Sequence, residues 1–301
     1  MAQRRNYKRK RNKVSPLYLL IALFVAVALF LTQHFLDEKE SNLPPADVED
    51  LLVHYIDVGQ GDAILVQFPE GQNMLIDAGP GSSEDELLAY LESIALDKIE
   101  YFVLTHPDED HIGGADKVLA AYEVDSVMLP DCDRDTKAYK NLENAIASEG
   151  CERHLPVLEE TISFGEGSTV TVLAPVMETY ADVNDYSIVL RLDYYETSFL
   201  FTGDAHKEAE YDMIERLDTE LLDCDVLKVG HHGSSSSTSE AFLNLVTPEI
   251  AVISCAEGNK YNHPHAEVIA RLQEDSVTIY RTYQLGSILL TSNGREVLCY
   301  N

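Results

Sequence analysis

The stretch Thr105-His106-Pro107-Asp108-Glu109-Asp110-His111-Ile112-Gly113-Gly114 gathers two imidazoles and two further carboxylates, His106, Asp108, Asp110 and His111, within six residues. Imidazole nitrogens and carboxylate oxygens offered together suit borderline divalent ions such as Zn²⁺ or Mn²⁺. The competing reading is a solvated acidic turn carrying two surface histidines. Four further clusters weigh against it: Asp77-Ala78-Gly79, Thr202-Gly203-Asp204, Gly230-His231-His232-Gly233-Ser234 and His263-Pro264-His265. Six of the ten histidines fall in the opening stretch and two of these clusters, a distribution that chance placement rarely produces. Taken singly each has a plain structural role. Asp77 can form a turn, Asp204 can cap a helix, His231 and His232 can be a surface pair, and His263 can open a helix. Lys228 reads equally as a substrate contact and as a buried charge paired with an acid.

The clusters follow apolar runs that read as strands. Leu51–Val58, Ala63–Phe68 and Asn73–Ile76 are separated by Gly-rich turns and predict an antiparallel meander. Helix Glu84–Leu96, strand Tyr101–Leu104, helix Gly114–Tyr122, strand Ser126–Leu129 and a helical stretch Thr136–Ser148 follow. The second half repeats the rhythm, with strands at Thr169–Leu173, Ser187–Leu192, Ser198–Phe201, Val226–Val229, Ile250–Ser254, Val277–Tyr280 and Ser287–Leu290. Helices at His206–Leu217, Ser237–Leu245 and Ala266–Gln273 alternate with them. Two rounds of strands and helices predict an α/β domain with two sheets face to face and helices outside. Strand ends bearing carboxylates and imidazoles then share one edge, where such folds place their sites.

The ordered set Asp-Ala-Gly, Thr-His-Pro-Asp-Glu-Asp-His-Ile-Gly-Gly, Thr-Gly-Asp and His-His-Gly-Ser resembles the metallo-β-lactamase-fold hydrolase superfamily. More narrowly, it is similar to the C-terminal hydrolase domain of ComEC-type DNA-uptake competence proteins, which the segments Tyr55-Ile56-Asp57-Val58-Gly59-Gln60-Gly61-Asp62-Ala63 and Asn184-Asp185-Tyr186-Ser187 also match. The resemblance runs from Leu51 to the C-terminus. It implies an αββα sandwich with one or two divalent metal ions, Zn or Mn, at its edge. In that scheme His106 and Asp108 serve one ion and Asp110 and His111 the other. Asp204 bridges them, and His232, in preference to His231, completes the second position. Asp77 orients a ligand imidazole from behind. Asp108 stands where the superfamily usually has a second histidine, and Asn184-Asp185 stand where it expects a third. The first position is therefore oxygen-rich, which favours Mn²⁺ or a single tightly held Zn²⁺.

The chain of 301 residues accommodates one domain of this kind at residues 51–301, preceded by a basic tail (1–13), an apolar segment (14–36) and an acidic linker (37–50). Val14–Leu36 carries no Lys, Arg, Asp or Glu and is long enough to cross a bilayer. The basic flank predicts a cytoplasmic N-terminus and an extracytoplasmic body on a single-pass cell-membrane anchor. A cleaved signal peptide is the rival reading, but the only small-x-small pattern, Ala26-Val27-Ala28, lies inside the apolar run. Seven of the 22 Lys and Arg lie in the first thirteen residues with no acid among them, leaving 15 against 52 Asp and Glu, a formal −37. Such a body repels polyanions at long range and excludes a broad nucleic-acid-binding face. Five cysteines do not make a disulfide framework, though Cys132 and Cys151 flank one helical stretch and are the pair that could join.

The chemistry expected is metal-assisted hydrolysis of a phosphodiester, with DNA as one substrate class and a separate DNA-uptake channel protein as a partner. Asp110 and Asp204 hold and orient the attacking water. Asn184 and Ser234 contact substrate, and His263 protonates the leaving group. Two rivals remain: hydrolysis of an ester, lactone or amide at the same site, and a non-catalytic module that binds a partner.

Overall fold

The computed structural model describes residues 49–300 together with Val27. The expectations about the basic tail, the apolar segment and most of the acidic linker lie outside these residues. Among the described residues no helix is long and apolar enough to cross a membrane.

The apolar runs form two mixed sheets. The first contains β1 (Leu51–Tyr55), β2 (Ile64–Gln67), β3 (Asn73–Ile76), β4 (Lys98–Val103), β5 (Glu123–Met128) and β6 (Glu152–His154). The second contains β7 (Thr161–Ser163), β8 (Ser168–Ala174), β9 (Val189–Tyr194), β10 (Thr197–Phe201), β11 (Val226–Lys228), β12 (Ile250–Ile253) and β13 (Thr278–Arg281). The chain then returns to the first sheet with β14 (Ile288–Ser292) and β15 (Val297–Tyr300). The orders are β15-β14-β1-β2-β3-β4-β5-β6 and β13-β12-β11-β10-β9-β8-β7.

Period-2 alternation along these strands fills three separate cores. Val53 and Tyr55, Val66, Met74 and Ile76 from the first sheet meet Leu190, Leu192, Phe199 and Phe201 from the second, in the layer between the sheets. The intervening residues Leu65, Leu75 and Phe102 point the other way, onto helices α1 (Glu84–Ser93), α2 (Glu109–Ile112), α3 (Ala115–Ala121) and α4 (Lys137–Glu149). Leu200, Leu227 and Ala251 likewise face α5 (Lys207–Arg216), α6 (Glu240–Val246) and α7 (Ala266–Glu274). The result is the αββα sandwich expected from the sequence. A last short helix, α8 (Thr282–Leu285), joins β13 to β14.

Several local expectations are corrected. Edge strands β6, β7 and β15 escaped notice because they are three or four residues long and half solvated, so they carry little apolar alternation. The strand expected at Ser187–Leu192 runs from Val189 to Tyr194, because Val183–Tyr186 coils into a 3-10 turn. The ligand-rich motif is itself helical over Glu109–Ile112, in addition to the expected helix after Gly113-Gly114, which runs Ala115–Ala121. Cys132 and Cys151 are free thiols, so the possible bridge is not made.

In the parallel segments β3-β4-β5 and β10-β11-β12 the carboxyl ends of successive strands lie side by side. The clusters Asp77, His106–His111, Asp204 and His231-His232 leave from those ends. Two glycines let the loops interlock there. A Cβ on Gly61 would overlap the Asp110 carbonyl and the Pro80 ring, and one on Gly113 would overlap the backbone of Gly81 and Glu109.

Phe199 is fully buried in the layer between the sheets. Phe199→Ala is expected to destabilise the domain by about 3–5 kcal/mol, read as a lower urea midpoint at unchanged slope.

Candidate metal centre

Three imidazoles enter the sheet edge, His106 and His111 from the segment that follows β4 and His232 from the turn that follows β11, each held at Nδ1 from behind. His111 has its Nδ1 2.7 Å from Asp77 Oδ2. His232 has its Nδ1 2.9 Å from the Ser254 carbonyl, with Asp62 Oδ1 at 3.5 Å. His106 has its Nδ1 3.2 Å from Thr105 Oγ1 and 3.4 Å from Ser187 Oγ. An acceptor at Nδ1 fixes the tautomer and frees the Nε2 lone pair, as ligand histidines require. The Nε2 atoms of all three are buried and have no hydrogen-bond partner. The Asp204 Oδ1 atom shares that state.

These atoms converge. His111 Nε2 is 3.3 Å from Asp204 Oδ1, and His232 Nε2 is 3.5 Å from Asp204 Oδ2 and 3.4 Å from Asp110 Oδ2. Ligand atoms of His106, His111 and Asp204 lie within 4.8 Å of one another, as do those of Asp110, His111 and His232. Buried polar atoms left unpaired cost free energy unless something occupies the space between them. The donor set therefore fits one or two divalent cations, with Asp204 facing both groups.

Asp77 is built into the site as a second layer. It accepts from the Thr105 backbone N–H and from Thr105 Oγ1, both at 2.7 Å, as well as from His111. Asp204 is not the helix cap it could have been. The first N–H groups of α5, from His206 and Ala209, donate instead to Asp185 Oδ1. That assigns Asp185 a structural task and leaves Asp204 free.

The remaining residues singled out from the sequence take more peripheral positions. Asp108 sits at the rim, with Oδ2 4.0 Å from His106 Nε2 and Oδ1 held at 2.7 Å by Arg134. His231 is half-exposed, with its Nε2 3.5 Å from Asp204 Oδ2 and its Nδ1 2.9 Å from His206 Nε2. Both His231 and His232 adopt left-handed backbone, at φ of 48° and 54°, which turns the paired side chains in different directions. Asn184 lies one step further out, its Nδ2 3.2 Å from His206 Nε2. Ser234 is buried, and its Oγ accepts from the Ser236 N–H and hydroxyl. The His263 ring is 5.3 Å from that of His231 and 6.3 Å from that of His232, with Nδ1 unpartnered.

Sequence reading missed Asp62 and His206, and left Lys228 open. Lys228 is fully buried at the end of β11, and its Nζ lies 2.6 Å from Asp62 Oδ2. A lysine inside an apolar strand signals that a carboxylate must lie opposite, but only the fold identifies which one. Asp62 belongs to a segment that carries the family resemblance, yet nothing local assigns its side chain a role.

Charge sets the protonation of the site. Burial opposes charge on His111, yet the Asp204 and Asp77 carboxylates outweigh it and raise its pKa well above the ordinary value. His232, buried but flanked by Asp204 and Asp62, is pushed up to about 10. At His106 burial, reinforced by His111, outweighs the pull of the Asp204 and Asp110 carboxylates and takes it down to about 3. Burial also works against ionised Asp110, but His232, whose Nε2 lies 3.4 Å from its carboxylate, and the charge of His111 bring it to about 2. Without a cation, protons on His111 and His232 balance the carboxylates.

Two predictions follow from this balance. Metal uptake must displace those protons, so Zn²⁺ binding near pH 7 is expected to release between about one and two protons per site pair. Calorimetry in buffers of different ionisation heat measures the number. Affinity should climb with pH towards the His232 value of about 10, and uptake without proton release would mean that the imidazoles are not ligands. Separately, Lys228→Met strands the Asp62 carboxylate in the interior and should cost about 3–5 kcal/mol. Adding Asp62→Asn to that variant should restore part of the loss in chemical denaturation.

Comparison with known proteins follows the same lines. Residues 56–257 match the metallo-beta-lactamase superfamily. The chain is 32% identical over 258 residues to the ComE operon protein 3 of Bacillus subtilis, an alignment covering 78% of this chain and 32% of that protein. It is 34% identical over 244 residues to Recombination protein 2 of Haemophilus influenzae, covering 78% and 28% respectively. Competence protein ComA of Neisseria gonorrhoeae is 29% identical over 233 residues, covering 77% and 31%. The chain thus spans about a third of the length of the curated relatives it matches. The expected resemblance to ComEC-type competence proteins is borne out by these relatives. Among solved structures, the metallo-beta-lactamase fold protein YhfI of Bacillus subtilis aligns at a TM-score of 0.51 and 12% identity, covering 81% of this chain and 100% of that one. CmlA, a diiron beta-hydroxylase from Streptomyces venezuelae, aligns at 0.51 and 12%, covering 85% and 55%. Similarity at that level speaks for the fold alone. With its αββα layers, its profile match and its loop-borne ligand set, the chain belongs to the metallo-beta-lactamase superfamily.

Proposed function

We propose that this protein is a metal-dependent phosphodiesterase acting on nucleic acid, tethered to the cell membrane through residues 14–36 with its hydrolase domain on the extracytoplasmic side. One observation carries the catalytic part of the reading. Three buried imidazoles present unpartnered Nε2 atoms to a space shared with Asp204. In this reading Asp110, His111, His232 and Asp204 hold one cation, and His106, Asp204 and the rim carboxylate Asp108 hold a second. Two imidazoles suit Zn²⁺ at the former position, and the carboxylate-rich latter position suits Mn²⁺. A bound divalent ion supplies Lewis-acid charge and acidifies water at neutral pH.

The protein's own groups do the rest. Asp110, held ionised, points a carboxylate at the open face of the site and orients the attacking water. Asp204 keeps both carboxylate oxygens directed inwards because Asp185 relieves it of capping α5. Burial and the neighbouring histidines push His263 down to about 4. Its imidazole is therefore neutral near pH 7 and serves as a hydrogen-bond donor to a phosphate oxygen rather than as a ready acid. His231 and Asn184, linked through His206, line the outer wall.

The competence relatives support a DNA-uptake context, and in that context we propose a separate channel protein as the partner. A formal −37 outside the basic tail keeps long polyanions at a distance, which favours a strand delivered locally over capture from solution.

The full-length chain in detergent, supplied with Mn²⁺ or Zn²⁺, is expected to hydrolyse single-stranded DNA, RNA or bis(p-nitrophenyl) phosphate. Asp110→Ala should lower kcat/KM by about 100-fold or more, the scale on which a transition-state contact is lost. Hydrolysis unchanged in that variant, or none by the wild type with either metal, would sink the reading.

A further inference from the structure

The loop between β12 and α7 carries features that metal binding does not use. Asn259 ties it into a fixed arch: its Nδ2 donates to the carbonyls of Ala256 (2.9 Å) and His263 (2.6 Å), and its Oδ1 accepts from the N–H groups of Tyr261 (3.1 Å) and His263 (3.0 Å). At the top of the arch Tyr261 is 47% exposed. Its ring stacks on His263 with centroids 5.5 Å apart and planes inclined by 25°. His263 in turn lies 5.3 Å from His231, which reaches Asp204. Tyr261 is thus two rings away from the proposed metal ligands.

Beside it, Lys260 makes no ion pair among the described residues, and its Nζ rests 4.7 Å from the centre of the Tyr261 ring. Both residues line a cavity of about 750 Å³ together with Gln60, Pro80, Asp108, Glu109 and Asp110. A cavity of this size accommodates a nucleotide rather than a bare phosphate. Its lining thus joins carboxylates proposed for the metal site to an aromatic ring and an ammonium group that makes no ion pair among the described residues. An aromatic face receives any base, and a neighbouring ammonium receives the phosphate that follows it in a strand. The surface contact between Lys260 and the ring is weak by comparison, and the flexible lysine stem lets the ammonium swing to that phosphate.

We propose that Tyr261 is the stacking platform for a nucleobase of single-stranded nucleic acid beside the proposed metal centre, with Lys260 holding an adjacent phosphate. The inference rests on the phosphodiesterase reading and adds its substrate requirement: an unpaired base next to the phosphodiester, recognised without sequence preference.

The test is fluorescence anisotropy with the full-length chain in detergent micelles. The probes are two labelled phosphorothioate strands of equal length, one bearing bases and one fully abasic. The wild type should bind the base-bearing strand about tenfold more tightly. Tyr261→Ala should abolish that ratio and Tyr261→Phe should preserve it. Lys260→Gln should weaken both strands alike and flatten the salt dependence. An unchanged ratio in Tyr261→Ala, or no base preference in the wild type, overturns the proposal. The same preparations assayed on bis(p-nitrophenyl) phosphate, which has no base, keep the two readings apart. Base-dependent binding without hydrolysis rejects the phosphodiesterase and leaves the platform standing. Hydrolysis with an unchanged ratio does the reverse.

Discussion

Like charges forced together at one sheet edge are the constraint on which this structure depends. Asp62, Asp77 and Asp204 are almost wholly buried, and Asp110 stands beside them. Ligand atoms of Asp62 and Asp204 fall within 4.8 Å of one another. Two unit charges about 5 Å apart at an effective dielectric near 20 repel by about 3 kcal/mol. A cluster of this kind survives only if cations answer it. Lys228 is one permanent answer, and the protonated forms of His111 and His232 are conditional ones. The buried lysine and the raised histidines are two responses to a single electrostatic demand, which a divalent ion meets more completely.

The supporting layers make sense in that light. Thr105 gives Asp77 two hydrogen bonds, Asp77 fixes His111, and the Ser254 carbonyl fixes His232. Each inward-facing imidazole is thus locked at Nδ1 by a group that never meets the ion. Asp185 plays an equivalent part by capping α5, so that Asp204 is not drawn into local backbone bonding. The loops pack closely enough that Gly61 and Gly113 have no room for a side chain. Position, tautomer and charge are set before any ligand arrives, and that pre-organisation is what a catalytic metal site requires.

Much of this was legible in the residues. Each ligand cluster follows an apolar run directly, so the link from strand end to site could be drawn from adjacency alone. Two-faced burial also left short, nearly continuous apolar runs at β2, β3, β10 and β11 rather than an alternation. The parts that were not legible share a physical reason: they depend on residues far apart in the chain. Lys228 announces a buried partner, but nothing local names Asp62. His206 is a lone histidine until the fold sets it against His231. Asp185 looks like a substituted ligand, and only the turn at Val183–Tyr186 reveals it as a cap. Strands β6 and β15 are short, half-solvated edges whose pairing is imposed by their neighbours rather than by their own pattern.

The ligands are shared between the two sheets. His106, Asp110 and His111 come from the first, while Asp204 and His232 come from the second, so the centre lies on the seam between them. An ion there acts as a rivet. Prising the two sheets apart would empty the site, because neither sheet alone carries a complete coordination set. Loading the seam therefore tightens strands far from any ligand, and a chelator loosens them, with amide exchange changing together on both sides of the sandwich. The chemistry of the edge and the cohesion of the whole domain are in this sense one equilibrium.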